Sequence, residues 1–279
     1  MPEWSRGRPG VRPRVRSSGD ASRPDRELLI GVHPVREALR AGRRVFHRLV
    51  LRGQERMPRP ELAQLIESAR AIALSVEEWE PDRFERLVPP GLPHQGVALE
   101  AGPLPDVEVA ELGARAGARS WLIALDGIED PQNLGAILRV AEAAGVAGAL
   151  VPERRAAPLT PAVARASAGA LEHVPVASVT NLTRALEELK RDHGYWVHAA
   201  DSNAGDDLYQ LPDKLLEGRL VLVLGAEGKG VRPGVRAAVD VFVHIPMAGR
   251  IGSLNVAAAA AVVLFEWGRR ARLRDGERG

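Results

Sequence analysis

Six apolar runs in the second half of the chain do not alternate with polar residues: WLIALD (121–126), AGALVP (147–152), VPVASV (174–179), YWVHAA (195–200), RLVLVLG (219–225) and VFVHIP (241–246). A strand that buries one face alternates apolar and polar residues. Continuous apolar character marks a strand covered on both faces, as in a parallel sheet flanked by helices. Helical patterns lie between the runs, so the chain is predicted to be α/β with a parallel sheet. Three runs break into polar, glycine-rich turns: LDGIEDPQNLGAILRVAEAAG (125–145), VLVLGAEGKG (221–230) and IPMAGRIGSLNVAAAAAVVLFE (245–266). Such turns at strand ends suggest a ligand cleft.

Composition excludes several classes. The longest apolar run, 256–265, is half alanine and shorter than the ~20 residues of a membrane span. With no cysteine there are no disulfides, thiolate metal sites or cysteine nucleophiles. The seven histidines are scattered without HExxH spacing, so no metal is expected. Net charge is only +2, but all basic residues except Lys190, Lys214 and Lys229 are arginine. A GC-rich genome explains that bias, and so does phosphate recognition by guanidinium forks.

The chain divides into five expected stretches. Residues 1–26 hold seven arginines among proline, glycine and serine and are predicted to be a disordered tail, either RNA-tethering or simply solvated. Residues 27–100 read as a small α/β unit, and 101–118 as a proline- and glycine-punctuated linker. A larger α/β unit spans 119–272, with a second disordered tail over 273–279. The glycine-rich turns follow the last strands, and no GxGxxG follows the first. A Rossmann arrangement is therefore disfavoured.

Several residues stand out individually. Asn133 sits at or beside a helix N-cap. Arg139, six residues on, lies about 9 Å up that helix and leans back toward the turn. Gly225–Gly230 lacks P-loop spacing, with Gly230 where Ser or Thr would bind magnesium. Its glycines instead let backbone approach a ligand. Glu227 at the tip is either a solvated carboxylate, a ribose partner or an orienter of Arg139. Ile245 and Met247 flank Pro246 as an apolar wall. Ser253 is predicted to cap a helix over 254–267, with Asn255 in its first turn.

Asn133-x-Gly135-x-x-x-Arg139, Gly225-Ala226-Glu227-Gly228, and Ile245-Pro246-Met247 with Ser253-Leu254-Asn255-Val256 resemble the SpoU (TrmH-like) family of RNA ribose 2′-O-methyltransferases over about half the chain. The resemblance implies a C-terminal trefoil knot, which pattern reasoning alone would reject. It also implies S-adenosylmethionine as cofactor, contacted mostly by backbone at Gly225, Ile245 and Leu254, with Leu224, Gly228 and Met247 beside them. Asn133, Arg139, Glu227, Ser253 and Asn255 form the implied catalytic set. The family's base is an arginine at the Arg139 position. Because guanidinium stays protonated, stabilising the developing alkoxide is the alternative role.

Gly31-Val32-His33-Pro34-Val35 and His94-Gln95-Gly96-Val97 look like hallmarks of the RlmB-type branch, which carries an L30e-like RNA-binding domain. His33 and His94 are thus RNA-binding candidates, or loop residues satisfying backbone groups. Ser167-Ala168-Gly169-Ala170 also matches the family, and nearby Arg165 is a candidate phosphate contact. The implied protein is a cytoplasmic homodimer methylating a guanosine ribose in 23S rRNA. A tRNA methyltransferase, an antibiotic-resistance rRNA methylase and a non-catalytic ribosome assembly factor are the alternatives.

Overall fold

The computed structural model describes residues 26–53, 60–115, 120–203 and 206–277. The expected N-terminal tail lies outside them but for Arg26. The first unit runs β1 (Glu27–Ile30), α1 (Val32–Ala41), β2 (Phe46–Arg52), α2 (Pro60–Ala71), β3 (Ser75–Trp79), α3 (Pro81–Leu87) and β4 (Val97–Ala101). Its sheet has the order β1-β4-β2-β3, with β4 antiparallel to both neighbours and β3 parallel to β2. The apolar pattern of 27–100 does not announce β3 or α3. β3 is an edge strand (SVEEW) in which Trp79 alone is buried, so it carries almost no apolar signal. The Arg83 guanidinium covers the Trp79 ring at 3.7 Å.

The second unit continues with α4 (Val109–Ala114), β5 (Ser120–Asp126), α5 (Pro131–Ala143), β6 (Gly148–Pro152), α6 (Pro161–Ala166), β7 (Val176–Val179), α7 (Leu182–His193), β8 (Tyr195–Ala200), β9 (Asp206–Asp207), β10 (Arg219–Gly225), α8 (Pro233–Arg236), β11 (Val241–His244) and α9 (Val256–Glu277). Its sheet has the order β7-β6-β5-β10-β8-β11-β9. Every neighbouring pair is parallel. All six expected strands are present, and the two-residue β9 is an addition at the edge.

Continuous apolar strands are required here because successive side chains face opposite sides of the sheet. Leu222 and Leu224 of β10 join one core with Leu134, Ile137 and Leu138 of α5 and Val263, Leu264 and Trp267 of α9. Val221 and Val223 join the other, with Leu182, Leu186 and Leu189 of α7. The chain passes from β5 outward to β6 and β7, then resumes on the far side of β10. The switch point therefore lies at β5 and β10, and the crevice beyond their carboxyl ends is where such sheets bind ligands.

Two expectations about α9 are corrected. The helix begins at Val256, not at 254, and runs to Glu277, through most of the expected tail. Arginines anchor the extension. Arg270 donates to the carbonyls of Leu208, Tyr209 and Leu211, and Arg274 donates to that of Leu216.

The units share a core, since Leu29, Val35 and Leu49 cluster with Ile137 and Leu171. At the junction Arg44 grips Glu172 with two bonds of 2.7 and 2.9 Å, reaches Glu27 at 2.7 Å, and donates to the Gly102 carbonyl. The Arg44 and Glu172 side chains are 1% and 0% exposed. The stretch expected as a linker is thus pinned at Gly102 and contains α4, whose Leu112 is fully buried.

Candidate active site

Three polar residues, one from the first turn of α5 and two from loops, converge above β5 and β10. Asp130 caps α5 by accepting from the Gln132 amide at 3.0 Å, and Pro131 opens the helix with the φ that suits it. Asn133 is therefore the third helical residue and not the cap. Its side chain is free to point across the crevice.

Asn255, not Ser253, caps α9: its Oδ1 accepts from the Ala257 amide at 2.9 Å. Ser253 is exposed and has no side-chain bond among the described residues. The cap fixes which way the Asn255 amide faces. Nδ2 must then point outward, where it donates to Asn133 Oδ1 at 2.9 Å and to Glu227 Oε1 at 2.8 Å. Asn133 Nδ2 closes the triangle on the same Glu227 oxygen at 3.4 Å. Glu227 is oriented by the two amides and does not bond Arg139. Its second oxygen stays available to accept.

Glycine geometry sets the loop that carries Glu227. The chain turns back on itself through a bridge between Ala226 and Gly230, whose amide reaches the Ala226 carbonyl at 2.8 Å. A Cβ on Gly225 would lie 2.2 Å from the Gly230 carbonyl carbon, so no other residue fits there. Beneath the loop the carboxylate of Asp126, fully buried, receives the Arg232 amide at 2.7 Å and its Nε at 2.6 Å. The sequence reading passed over Asp126, although a charged residue ending the run WLIALD was the available signal.

Arg139 is exposed on α5 and has no hydrogen bond or ion pair among the described residues. It lies on the same helix as Asn133, about two turns from the helix start. The loops after β10 and β11 leave apolar side chains open. Met247 is 37% and Leu254 40% exposed, Ile245 is half-buried, and Leu224 is buried beneath them. A tight glycine turn offering backbone, beside apolar walls, fits a cofactor with a flat heterocycle and polar ends. Gly225, Gly228, Ile245, Met247 and Leu254 would hold S-adenosylmethionine there. Among the described residues no group of three or more His, Asp or Glu could hold a metal.

In the first unit Gln95 joins the two sequence hallmarks: its Oε1 accepts from the Val32 amide at 3.1 Å. It does so from a left-handed backbone, φ +52°. The His94 ring lies tilted against Phe84, centroids 5.2 Å apart, and its Nδ1 accepts from the Gly96 amide at 3.0 Å. His33 is exposed and bonds Arg36 at 2.6 Å. Arg165 is half-buried on α6. That helix packs so closely on α5 that a Cβ on Gly135 would lie 2.4 Å from that of Ala166.

Comparison with known proteins identifies the family. Residues 120–265 match the SpoU rRNA Methylase family, and residues 28–107 match the RNA 2′-O ribose methyltransferase substrate binding family. A Staphylococcus aureus (strain MSSA476) protein assigned to the TrmH family of tRNA/rRNA methyltransferases is 37% identical over 243 residues, covering 86% of this chain and 94% of that one. The crystal structure of an RNA 2′-O ribose methyltransferase superposes with a TM-score of 0.71 at 26% identity, over 88% of this chain and 89% of that one. The SpoU methyltransferase AviRb of Streptomyces viridochromogenes, solved with S-adenosylmethionine, shares the fold with a TM-score of 0.73 at 24% identity, over 88% and 91% of the two chains. With a matched family over more than half its length and a 37% identical relative, this chain belongs to the S-adenosylmethionine-dependent SpoU (TrmH-like) family of RNA methyltransferases.

Proposed function

We propose that the protein methylates the ribose 2′-oxygen of a guanosine in 23S rRNA, as an enzyme of the RlmB type. The observation that carries this reading is the convergence of Asn133, Glu227 and Asn255 on one point, with the unpaired Arg139 on the same helix as Asn133. S-adenosylmethionine, when bound, supplies a methyl group on a sulfonium. A ribose hydroxyl is a poor nucleophile until its proton is polarised or removed.

The chain's own residues address that step. Arg139 donates to the 2′-oxygen and steadies the negative charge developing there as the hydroxyl proton passes to solvent. Glu227, held by two amides, accepts from a ribose hydroxyl through its free oxygen and so fixes the sugar. Asn133 and Asn255 act on Glu227 and not on the reacting atoms. Ser253, exposed on the loop before α9, offers a hydroxyl to the substrate phosphate.

The small unit, residues 27–100, supplies RNA selection in this reading, with His33 exposed on its surface and Arg165 at its border. Residues 119–272 carry the chemistry, with the C-terminal knot and a homodimer formed through it. The reading places the enzyme in the cytoplasm, where its rRNA is.

Nucleotide-resolution mapping of 2′-O-methyls in rRNA and tRNA, from cells lacking the gene and from cells complemented with it, tests the substrate. A single guanosine of 23S rRNA should lose its methyl and regain it. Loss confined to tRNA would replace this reading with the tRNA methyltransferase. No change in either, with no donor binding by calorimetry, would leave a non-catalytic RNA-binding protein.

A further inference from the structure

We infer that the cleft between the ends of β6 and β7 and the starts of α7 and α8 binds phosphodiester groups of the substrate RNA, apart from the Asn133–Glu227–Asn255 cluster; the inference rests on the RNA-methylating reading above. The cleft, about 380 Å³, is lined by Arg154, Arg155, Asn181, Thr183 and Arg232 among others, and no acidic residue lines it. Two of its three arginines have no partner among the described residues: Arg154 and Arg155 are exposed, without hydrogen bond or ion pair. Arg155 has a left-handed backbone, φ +59°, a conformation that a residue with a Cβ rarely adopts. Arg232 is anchored by Asp126, so it brings positioned N–H groups with its charge already balanced.

Helix α7 adds to the same deficit. Asn181 caps it by accepting from the Arg184 amide at 3.1 Å, but the amides of Leu182 and Thr183 have no acceptor among the described residues. Its first turn holds no acidic residue and instead places Arg184 at the third position. A cation there opposes the helix dipole, and Arg184 is exposed without an ion pair among the described residues. An anion in the cleft would relieve both. The cleft opens at the same carboxyl edge of the sheet as the proposed ribose site, and the Asp126–Arg232 pair stands between the two. An RNA strand that presents its target ribose at the Asn133–Glu227–Asn255 cluster can thus rest another of its phosphates on Arg154 and Arg155.

Phosphate contacts are sequence-independent and show in the salt dependence of binding. The probe is a labelled 15-nucleotide oligouridylate, titrated against the full chain at several potassium chloride concentrations. Arg154→Ala/Arg155→Ala should bind it more weakly at low salt, with a slope of log K against log salt shallower by about 1.4, the value for two lost contacts to a single strand. Donor affinity by calorimetry and the thermal midpoint should not move. Arg184→Glu separates ligand binding from structure, because it should raise the midpoint slightly through the helix dipole while weakening the RNA. Unchanged slopes in both variants would overturn the inference. So would tight binding of inorganic phosphate at these arginines with oligouridylate binding unaffected, which would make the site one for a free anion. Because the readout is binding and not methyl transfer, a failure of the methylation reading would appear separately.

Discussion

One side-chain amide, that of Asn255, both starts a helix and holds a carboxylate, and substitutions can separate the two roles. Asn255→Asp keeps the acceptor for the Ala257 amide but sets a second carboxylate against Glu227. Its thermal midpoint should stay near that of the parent while methyl transfer falls at least ~10-fold, through like-charge repulsion where two N–H donors stood. Asn255→Ala should lose about 1 kcal/mol from the missing cap as well as activity. Parental activity in both variants would separate the triangle from catalysis. For Arg139, removing a partner of transition-state charge should lower kcat by ~10²-fold or more in Arg139→Ala. Arg139→Lys should retain a fraction, and donor affinity should be unchanged in both. Full activity in Arg139→Ala would leave it an ordinary surface arginine.

His198 gives a residue-scale pH prediction. It is fully buried with its ring edge-on to Trp267, centroids 5.4 Å apart, and burial pushes its pKa down to about 4. The unfolded chain therefore binds a proton between pH 6.5 and 4 that the folded chain refuses, and stability falls as pH drops through that window. The loss reaches roughly 3 kcal/mol at its lower end, at 1.36 kcal/mol per unit. Urea unfolding at pH 7 and pH 5 should show wild type losing more stability than His198→Phe.

At the scale of elements, α9 is the informative one, because its low-complexity alanine start and arginine-rich end have different fates. Alanines at 257 and 260 let the helix lie close in the core, and the arginines beyond them bind structure. Arg270 joins three backbone carbonyls to Glu266, whose carboxyl is held down to about 2 by Arg269 and then Arg270. Arg270→Ala would leave buried carbonyls without donors, each costing about 1–3 kcal/mol. Chemical denaturation should show a loss of several kcal/mol, with hydrogen exchange rising first over 208–216. Since the Glu266 pKa is depressed, its contribution is present above pH 4.5 and fades as pH falls toward 2.

At the scale of the whole molecule, the two sheets are tied by the Arg44–Glu172 pair and a shared apolar core. Removing one member of a buried pair strands the other charge and costs about 3–5 kcal/mol. Wild-type protein should therefore unfold in one calorimetric transition, whereas Arg44→Ala should separate the melting of the first unit from the second. A single unshifted transition in Arg44→Ala would show that the units are not coupled through this pair.

Local chemistry made much of this protein legible in its sequence. Unbroken apolar runs require strands covered on both faces, and glycines mark turns no larger residue enters, so the parallel sheet and the loop at 225–230 could be read directly. Asn133, Glu227 and Asn255 were legible as residue types on those turns and through their likeness to a family. Their meeting was not, because the bonds span 94 and 122 positions, and no local pattern encodes where a distant loop lands. The same reason accounts for the misplaced cap. Ser253 and Asn255 are both good caps, and the choice fell to the residue whose amide could also reach Glu227. It accounts too for β3, whose polar residues became a strand because β2 offered an edge, and for the end of α9, where arginines that looked solvated found backbone carbonyls to bind.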